Sequence, residues 1–320
     1  MPELNLTDKD TAIEFYDHRY EEGYMEDWDD DKKQKVKEIF LGLNLPSEGK
    51  ALDFGCGNGV FTGIIKECLP NWDVYGVEIS PTAVKNASKR LPQCSFFTSE
   101  KAPEYEHFFD FIFSHHVIEH VQNLSETFAT FNKYLKPNAS QLHILPCGNK
   151  DSLEYHICDL KSNGIEKGNR FFFEEPGHLR RLTTDEFTNC ERQIGFNLKK
   201  EFYSNQYDGA INWITKSSPR FVKKLTDDKD AKNNEAKKEL NQLRKKLLPL
   251  TYLQFPYSKY WLKKSKWNKT GKDWIMLSVL FVPSLLSKII FDAYQKKATA
   301  EWEQKKNERN GSEMFLFYTR

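Results

Sequence analysis

Leu52-Asp53-Phe54-Gly55-Cys56-Gly57-Asn58-Gly59 joins an apolar run, ALDF at 51–54, to a stretch from Gly59 to Cys68 whose apolar residues recur at helical spacing. A strand that passes into a helix through glycines outlines a ligand site. Glycine enters the φ > 0 region without a Cβ penalty and lets the backbone approach a ligand closely. The first N–H groups of the following helix lack intrahelical partners and suit a carboxylate or phosphate. Three features narrow the reading. The spacing is GxGxG, not the GxGxxG of dinucleotide-binding dehydrogenases. Asp53 lies just before the turn. Glu78 stands near the end of the next apolar run, DVYGVEI (73–79), where its two oxygens suit a pair of ribose hydroxyls.

Outward from this turn, short apolar runs alternate with helical patterns. Ser80-Pro81 reads as an N-cap and first helical residue for a helix to Leu91. CSFFT (94–98), FDFIFS (109–114), QLHILP (141–146) and FNLKKEFY (196–203) read as strands, with helices at 124–135 and from Thr184 to about 194. Upstream, Val36, Ile39, Phe40 and Leu43 predict a helix over 32–43. The alternation predicts an α/β, Rossmann-like, mainly parallel sheet of seven strands with helices on both faces. EMFLFYT (313–319) is expected as a final antiparallel strand beside FNLKKEFY, after a helical insertion. The expected division is 1–44 as a cap over the cofactor and substrate site, 45–204 with 311–320 as the sheet domain, and 205–310 as the insertion.

The run around Gly55 resembles the signature of class I S-adenosylmethionine (SAM)-dependent methyltransferases, and the likeness covers 50–204. It continues through PTAVKNASKR after Glu78, FDFIFSHHVIEHV (109–121) and LKPNASQLHILP (135–146). It closes with GHLRRLTTDEFTNCERQIGF (177–196), which looks like the ubiquinone-biosynthesis type. Asn138 stands where that family has a first glycine, a change that still suits a turn. The resemblance implies SAM as cofactor. Gly55, Cys56, Gly57 and Gly59 would form its turn, with Asp53 in support. Glu78 would hold the ribose, Ile79 would flank the adenine, and Ser99 or Glu100 would meet the adenine edge. Ser114 and His115 would lie beside the methionine portion.

Methyl transfer to a hydroxyl needs an aligned nucleophile and a base for its proton. His115, His116, Glu119 and His120 follow the fourth strand, and His178 precedes the last core helix. His116, Glu119, His120 and His178 are the candidate catalytic residues. In ubiquinone-type and small-RNA 2′-O-methyltransferases a Glu-x-x-Glu-His block here binds a divalent metal. Here the block reads His116-Val-Ile-Glu119-His120, with imidazole in the first place, and imidazole and carboxylate both ligate metals. Cys56 and Cys147 read as small packing residues. The expected reaction is methylation of a small-molecule or lipid-like acceptor, at oxygen. An RNA or protein methyltransferase and a non-catalytic SAM-binding protein are the alternatives.

The rest of the composition bounds the setting. The 320 residues include six scattered cysteines without CxxC pairs, which fits a reducing compartment, and MPELNLTDKD shows no leader pattern. A cytoplasmic protein is expected, with peripheral membrane contact as an option. Net charge is +1, but 216–272 holds 17 Lys and Arg against 5 Asp and Glu, interleaved with Tyr252, Phe255, Tyr257, Tyr260, Trp261 and Trp267. The apolar run WIMLSVLFVPSLLSKIIF (274–291) follows. Together, 216–291 fits an interfacial contact with anionic lipid, a cover over the substrate pocket, a nucleic-acid surface or a plain insertion. Nucleic acid is the least favoured of these partners.

Overall fold

The structure is a computed structural model that describes residues 9–25, 28–101, 105–162, 164–165, 178–258 and 271–320. Two helices, α1 (Lys9–Glu21) and α2 (Asp30–Leu41), precede the first strand, β1 (Lys50–Phe54). Then follow α3 (Val60–Cys68), β2 (Asp73–Glu78), α4 (Pro81–Arg90), β3 (Ser95–Thr98), β4 (Phe109–His115), α5 (Leu124–Tyr134) and β5 (Leu135–Pro146). After α6 (Leu153–Asp159), α7 (Thr184–Gln193) and β6 (Asn197–Ser204) come four helices: α8 (Asp208–Lys216), α9 (Pro219–Leu225), α10 (Asn234–Pro256) and α11 (Gly271–Lys305). β7 (Glu313–Thr319) completes the seven-stranded sheet, in the order β3-β2-β1-β4-β5-β7-β6.

The β1–β2, β1–β4, β2–β3 and β4–β5 pairs are parallel. β7 is the exception. The Cys147 N–H, just past the end of β5, donates to the Ser312 carbonyl, just before β7, at 2.8 Å. The Ser312 N–H in turn donates to the Ser204 carbonyl, at the end of β6, at 3.0 Å. Ends meeting beginnings make β7 antiparallel to both neighbours, as the sequence leads one to expect. The fold is thus the Rossmann-like α/β architecture, with the turn at 55–59 leaving the carboxyl end of β1.

One element differs from expectation. β5 begins at Leu135, so Lys136-Pro137-Asn138 are strand residues rather than a turn. The register slips between Phe109 and Phe111 of β4 opposite Leu135 and Ser140, an irregularity that gives Pro137 a place without a ladder hydrogen bond. Ser80 caps α4 as read, its hydroxyl accepting from the Ala83 N–H at 3.1 Å.

Chain contacts divide the molecule into two compact units. The first is Met1–Leu145 with Thr184–Glu201 and Phe315–Arg320; the second is Pro146–Thr183 with Phe202–Met314. The second unit is therefore larger than the 205–310 of the sequence reading, because Pro146–Thr183 group with the four late helices. Tyr260, Trp261 and Trp267 lie outside the described residues.

Phe109, Phe111 and Phe113 of β4, Phe131 of α5 and Phe187 of α7 form the centre of the first unit, all fully buried. Beneath them His143 of β5 sits within 3.1 Å of Glu191 on α7, and Gln141 donates to the same carboxylate at 2.8 Å. The second unit has its own core, with Leu153 and Ile157 of α6, Ile211 and Ile214 of α8, Leu225 of α9 and Leu240 and Leu247 of α10. Its loops meet at Arg181, which donates to the carbonyls of Cys147 (2.9 Å) and Ser312 (2.8 Å) and to Glu154 (2.7 Å). Arg181→Met removes a buried charge from a buried carboxylate and leaves two carbonyls short of donors. It should cost about 3–5 kcal/mol of stability, read from the shift of the urea midpoint. A shift under about 1 kcal/mol would show that Arg181 holds nothing together.

Candidate active site

The turn is built from both sides. The N–H groups of Gly55 and Cys56 donate to the Val77 carbonyl of β2, at 2.8 and 3.0 Å, so the turn is held to the neighbouring strand. Gly55, Gly57 and Gly59 all have positive φ, +77°, +50° and +76°. A Cβ at Gly55 would run into Val117, and one at Gly57 would lie 2.8 Å from the Tyr20 hydroxyl, so these positions require glycine on two counts. Cys56 is buried, and burial pushes its thiol well above the ordinary range. It is packing, not a nucleophile.

Two carboxyl groups flank the turn. Glu78 accepts from the N–H groups of Gly57 (2.9 Å) and Ile79 (2.8 Å). Burial raises its pKa, while these amides and that of Ser80 pull it back. Asp53 is enclosed beneath, 2.5 Å from the Thr62 hydroxyl of α3. Burial pushes its pKa up to about 7, Thr62 opposes the shift, and the charge of Glu78 adds to it. Ser99 donates its N–H to the Glu78 carbonyl at 2.9 Å, which places Ser99 and Glu100 just beyond the same strand end; both are exposed.

The segment after β4 turns sharply. His116 sits at φ +53° with its N–H on the Ile144 carbonyl at 2.8 Å. Its Nδ1 lies 2.9 Å from Oε1 of the buried Glu119. His115 is stacked against Phe61 (centroids 4.0 Å apart) and meets the edge of Trp28 (4.6 Å). His120 Nδ1 lies 2.9 Å from the Tyr16 hydroxyl. Ser114 faces the other way: its hydroxyl is 2.7 Å from His143 Nδ1. The structure therefore brings Asp53, Gly55, Cys56, Gly57, Gly59, Glu78 and Ile79 together at one turn, with His115 at the end of the adjacent strand and His116, Glu119 and His120 after it. His178 belongs to the second unit. Of the metal candidates in the first unit, His116 and Glu119 are hydrogen-bonded to each other and His120 lies on the Tyr16 hydroxyl.

The N-terminal helix, expected from the sequence as part of a cover, supplies contacts around the turn. Tyr16, Tyr20 and Tyr24 recur every fourth residue, and the first two project from α1 onto His120 and Gly57. Asp17 accepts from the Ser80 hydroxyl (2.5 Å), the Thr82 N–H (2.8 Å) and the Thr82 hydroxyl (3.2 Å), tying α1 to the start of α4. Burial acts to raise the Asp17 pKa, and these donors outweigh it and hold it low. The Asn58 side chain in the glycine turn donates to the Tyr24 carbonyl at 3.1 Å. The i, i+4 tyrosine spacing was a legible signal; Asp17 carries none outside the fold.

Residues 19–201 match the methyltransferase domain family, and the chain belongs to it. It is 30% identical over 95 residues to trans-aconitate 2-methyltransferase of Methylobacterium radiotolerans, covering 25% of this chain and 36% of that protein. It is 28% identical over 239 residues to phosphoethanolamine N-methyltransferase 1 of Triticum aestivum, covering 66% of this chain and 46% of that protein. The chain thus spans about a third to a half of the curated relatives it matches. Among solved structures, phosphoethanolamine N-methyltransferase 2 of Haemonchus contortus in complex with S-adenosyl-L-methionine aligns with a TM-score of 0.47 at 12% identity, over 91% of this chain and 52% of that one.

Asp53 makes a pH signature. Its pKa is near 7 in the fold against 3.8 when unperturbed, so the stability it contributes is complete below pH 3.8 and is lost as pH rises to 7. Asp53→Asn should remove that loss: urea unfolding of variant and wild type should diverge between pH 5 and pH 7.5, with the variant gaining relative stability. Parallel curves would return Asp53 to an ordinary ionised carboxylate.

Proposed function

We propose that the chain transfers the methyl group of SAM to a small-molecule acceptor, at an oxygen, with the turn at 55–59 as its cofactor site. The observation that carries the reading is the pairing of three left-handed glycines with the Glu78 carboxylate at the next strand end. The fit is chemical. Glu78 is an acceptor-only group suited to ribose hydroxyls, and the absence of a side chain at Gly57 lets the Tyr20 hydroxyl close over the turn. Asp53 and Glu78 give the turn a buried negative character that suits a cationic ligand. SAM, when bound, supplies a methyl group on a positively charged sulfur. The roles read from the sequence stand as part of this proposal: Ile79 beside the adenine, Ser99 or Glu100 at its edge, and Ser114 and His115 toward the methionine portion.

The chain's own residues supply positioning and proton transfer. Glu119 accepts from His116 Nδ1, which fixes the neutral ring in the tautomer whose basic nitrogen is Nε2. A carboxylate that orients an imidazole is the arrangement of a general base. The backbone strain at His116, a non-glycine residue at positive φ, aims that ring. Residues 1–44 would act as a cover over the bound cofactor, with Tyr16 and Tyr20 as the closing side chains. Trans-aconitate and phosphoethanolamine, the compounds in the relatives' names, are small polar molecules, which supports an acceptor of that size. The ubiquinone-type character rests on the blocks at 135–146 and 177–196.

Two measurements test this. Calorimetric titration should show SAM binding that Glu78→Ala weakens by about 10- to 100-fold, the worth of hydrogen bonds to a charged acceptor. Unchanged affinity would take Glu78 out of the site. With labelled SAM and fractionated small-molecule extracts, His116→Gln should lower kcat by about 100-fold or more and abolish the acid limb of the pH profile, with SAM affinity intact. Full activity in that variant would sink the base assignment, and loss of wild-type activity on chelation would replace it with a metal.

A further inference from the structure

We infer that the first half of α11 is a docking face for an anionic lipid bilayer surface. The helix is inverted. Its inward positions over this stretch are Ser284, Ser287 and Phe291, while Ile275, Val279, Val282, Leu286 and Ile289 point outward, each 64–70% exposed. The inward serines are hydrogen-bonded: Ser284 donates to the Phe281 carbonyl at 2.7 Å, and Ser287 accepts from the Tyr257 N–H at 3.1 Å. The orientation is fixed further along, where Glu301 accepts from the N–H groups of Tyr207, Asp208 and Gly209 at the start of α8, at 2.8–2.9 Å. The helix is thus held by its polar side and turns its apolar side out.

Outward apolar residues recur at steps of four and three from Ile275 to Ile289, about 20 Å of helix, flanked by the exposed Trp274, Phe281 and Leu285. A contiguous face of this kind marks an interaction surface. Tyr252 and Leu253 of α10, in the same unit, are also exposed. No helix among the described residues is long and apolar enough to cross a membrane, so the pattern is that of a helix lying in an interface with one face buried.

The charge along the surrounding sequence selects the occupant. From Leu240 to Phe291 the chain carries ten Lys and Arg and a single acid, Asp273. Clustered lysines are drawn to anionic headgroups, and aromatics settle at the boundary. The same 3-4 spacing would suit a seam between two copies, but that would bring two strongly basic segments together. Lipid docking does not rest on the methyl-transfer proposal, since it needs neither cofactor nor acceptor.

The test is flotation of the full chain with vesicles of phosphatidylcholine, alone or mixed with phosphatidylserine, at low and high salt. The mixed vesicles should bind it, about tenfold more tightly than phosphatidylcholine alone, and high salt should weaken but not abolish binding. The variant Val279→Gln, Val282→Gln, Leu286→Gln, Ile289→Gln changes only outward side chains. It should keep its helix content and lose more than about tenfold in vesicle affinity. Should it fail to fold, quenching of wild-type tryptophan fluorescence by brominated acyl chains decides, with strong quenching expected. No flotation with mixed vesicles, no preference for the anionic lipid, equal binding by the variant, or no quenching would overturn the proposal. So would a wild-type dimer that the variant dissolves while neither floats.

Discussion

The bond from the Gly57 N–H to the Glu78 carboxylate is the contact on which the rest of the site depends. It fixes the glycine turn of one strand to the end of the next, alongside the two amides that the turn places on the Val77 carbonyl. Everything that surrounds the turn is keyed to it. Asn58 reaches from it to the Tyr24 carbonyl, Tyr20 closes over Gly57, and Asp17 secures the same helix to the cap of α4. A turn made of residues with side chains could not sit so low between these partners, since each left-handed φ would carry strain and Val117 and Tyr20 occupy the space.

The electrostatics of the site follow from its burial. Asp53 and Glu78 are both taken out of water among amide and hydroxyl donors, and burial raises the pKa of both. The free protein therefore stores unfavourable negative charge under the turn. A positively charged ligand in that field relieves the charge and lowers both pKa values, so part of its binding free energy comes from groups it does not touch. An acid buried beneath the glycines, rather than facing them, thus acts on a bound cation through its charge.

Most of the sheet was legible because strand and helix periods switch cleanly: Asp73–Glu78, Pro81–Arg90 and Glu313–Thr319 were readable within a residue or two. Lys136-Pro137 misled because proline and asparagine signal a turn locally, whereas a register slip in the ladder can absorb them. The glycine turn and Glu78 were readable because backbone at positive φ dictates residue types at fixed spacing. Asp17 was not, because its worth lies in capping a helix more than sixty residues away. The grouping of Pro146–Thr183 with the late helices was equally hidden, since Arg181 gathers the carbonyls of Cys147 and Ser312 from two distant stretches of chain. The orientation of α11 needed the structure as well: hydropathy marks an apolar helix but not which side turns outward.

The place of β7 has a consequence for synthesis. β6 ends at Ser204, and the strand that must lie between it and β5 begins more than a hundred residues later. At about 5–20 residues per second, the ribosome leaves that slot in the sheet empty for roughly 5–20 s. During this interval four helices emerge, and they can form their own core before the sheet is closed. The contacts of Ser204 with Ser312 and Glu313 then bring the two ends of that long excursion side by side. Premature termination within the inserted helices would leave β5 and β6 without the strand between them, and such bare edges are a template for aggregation.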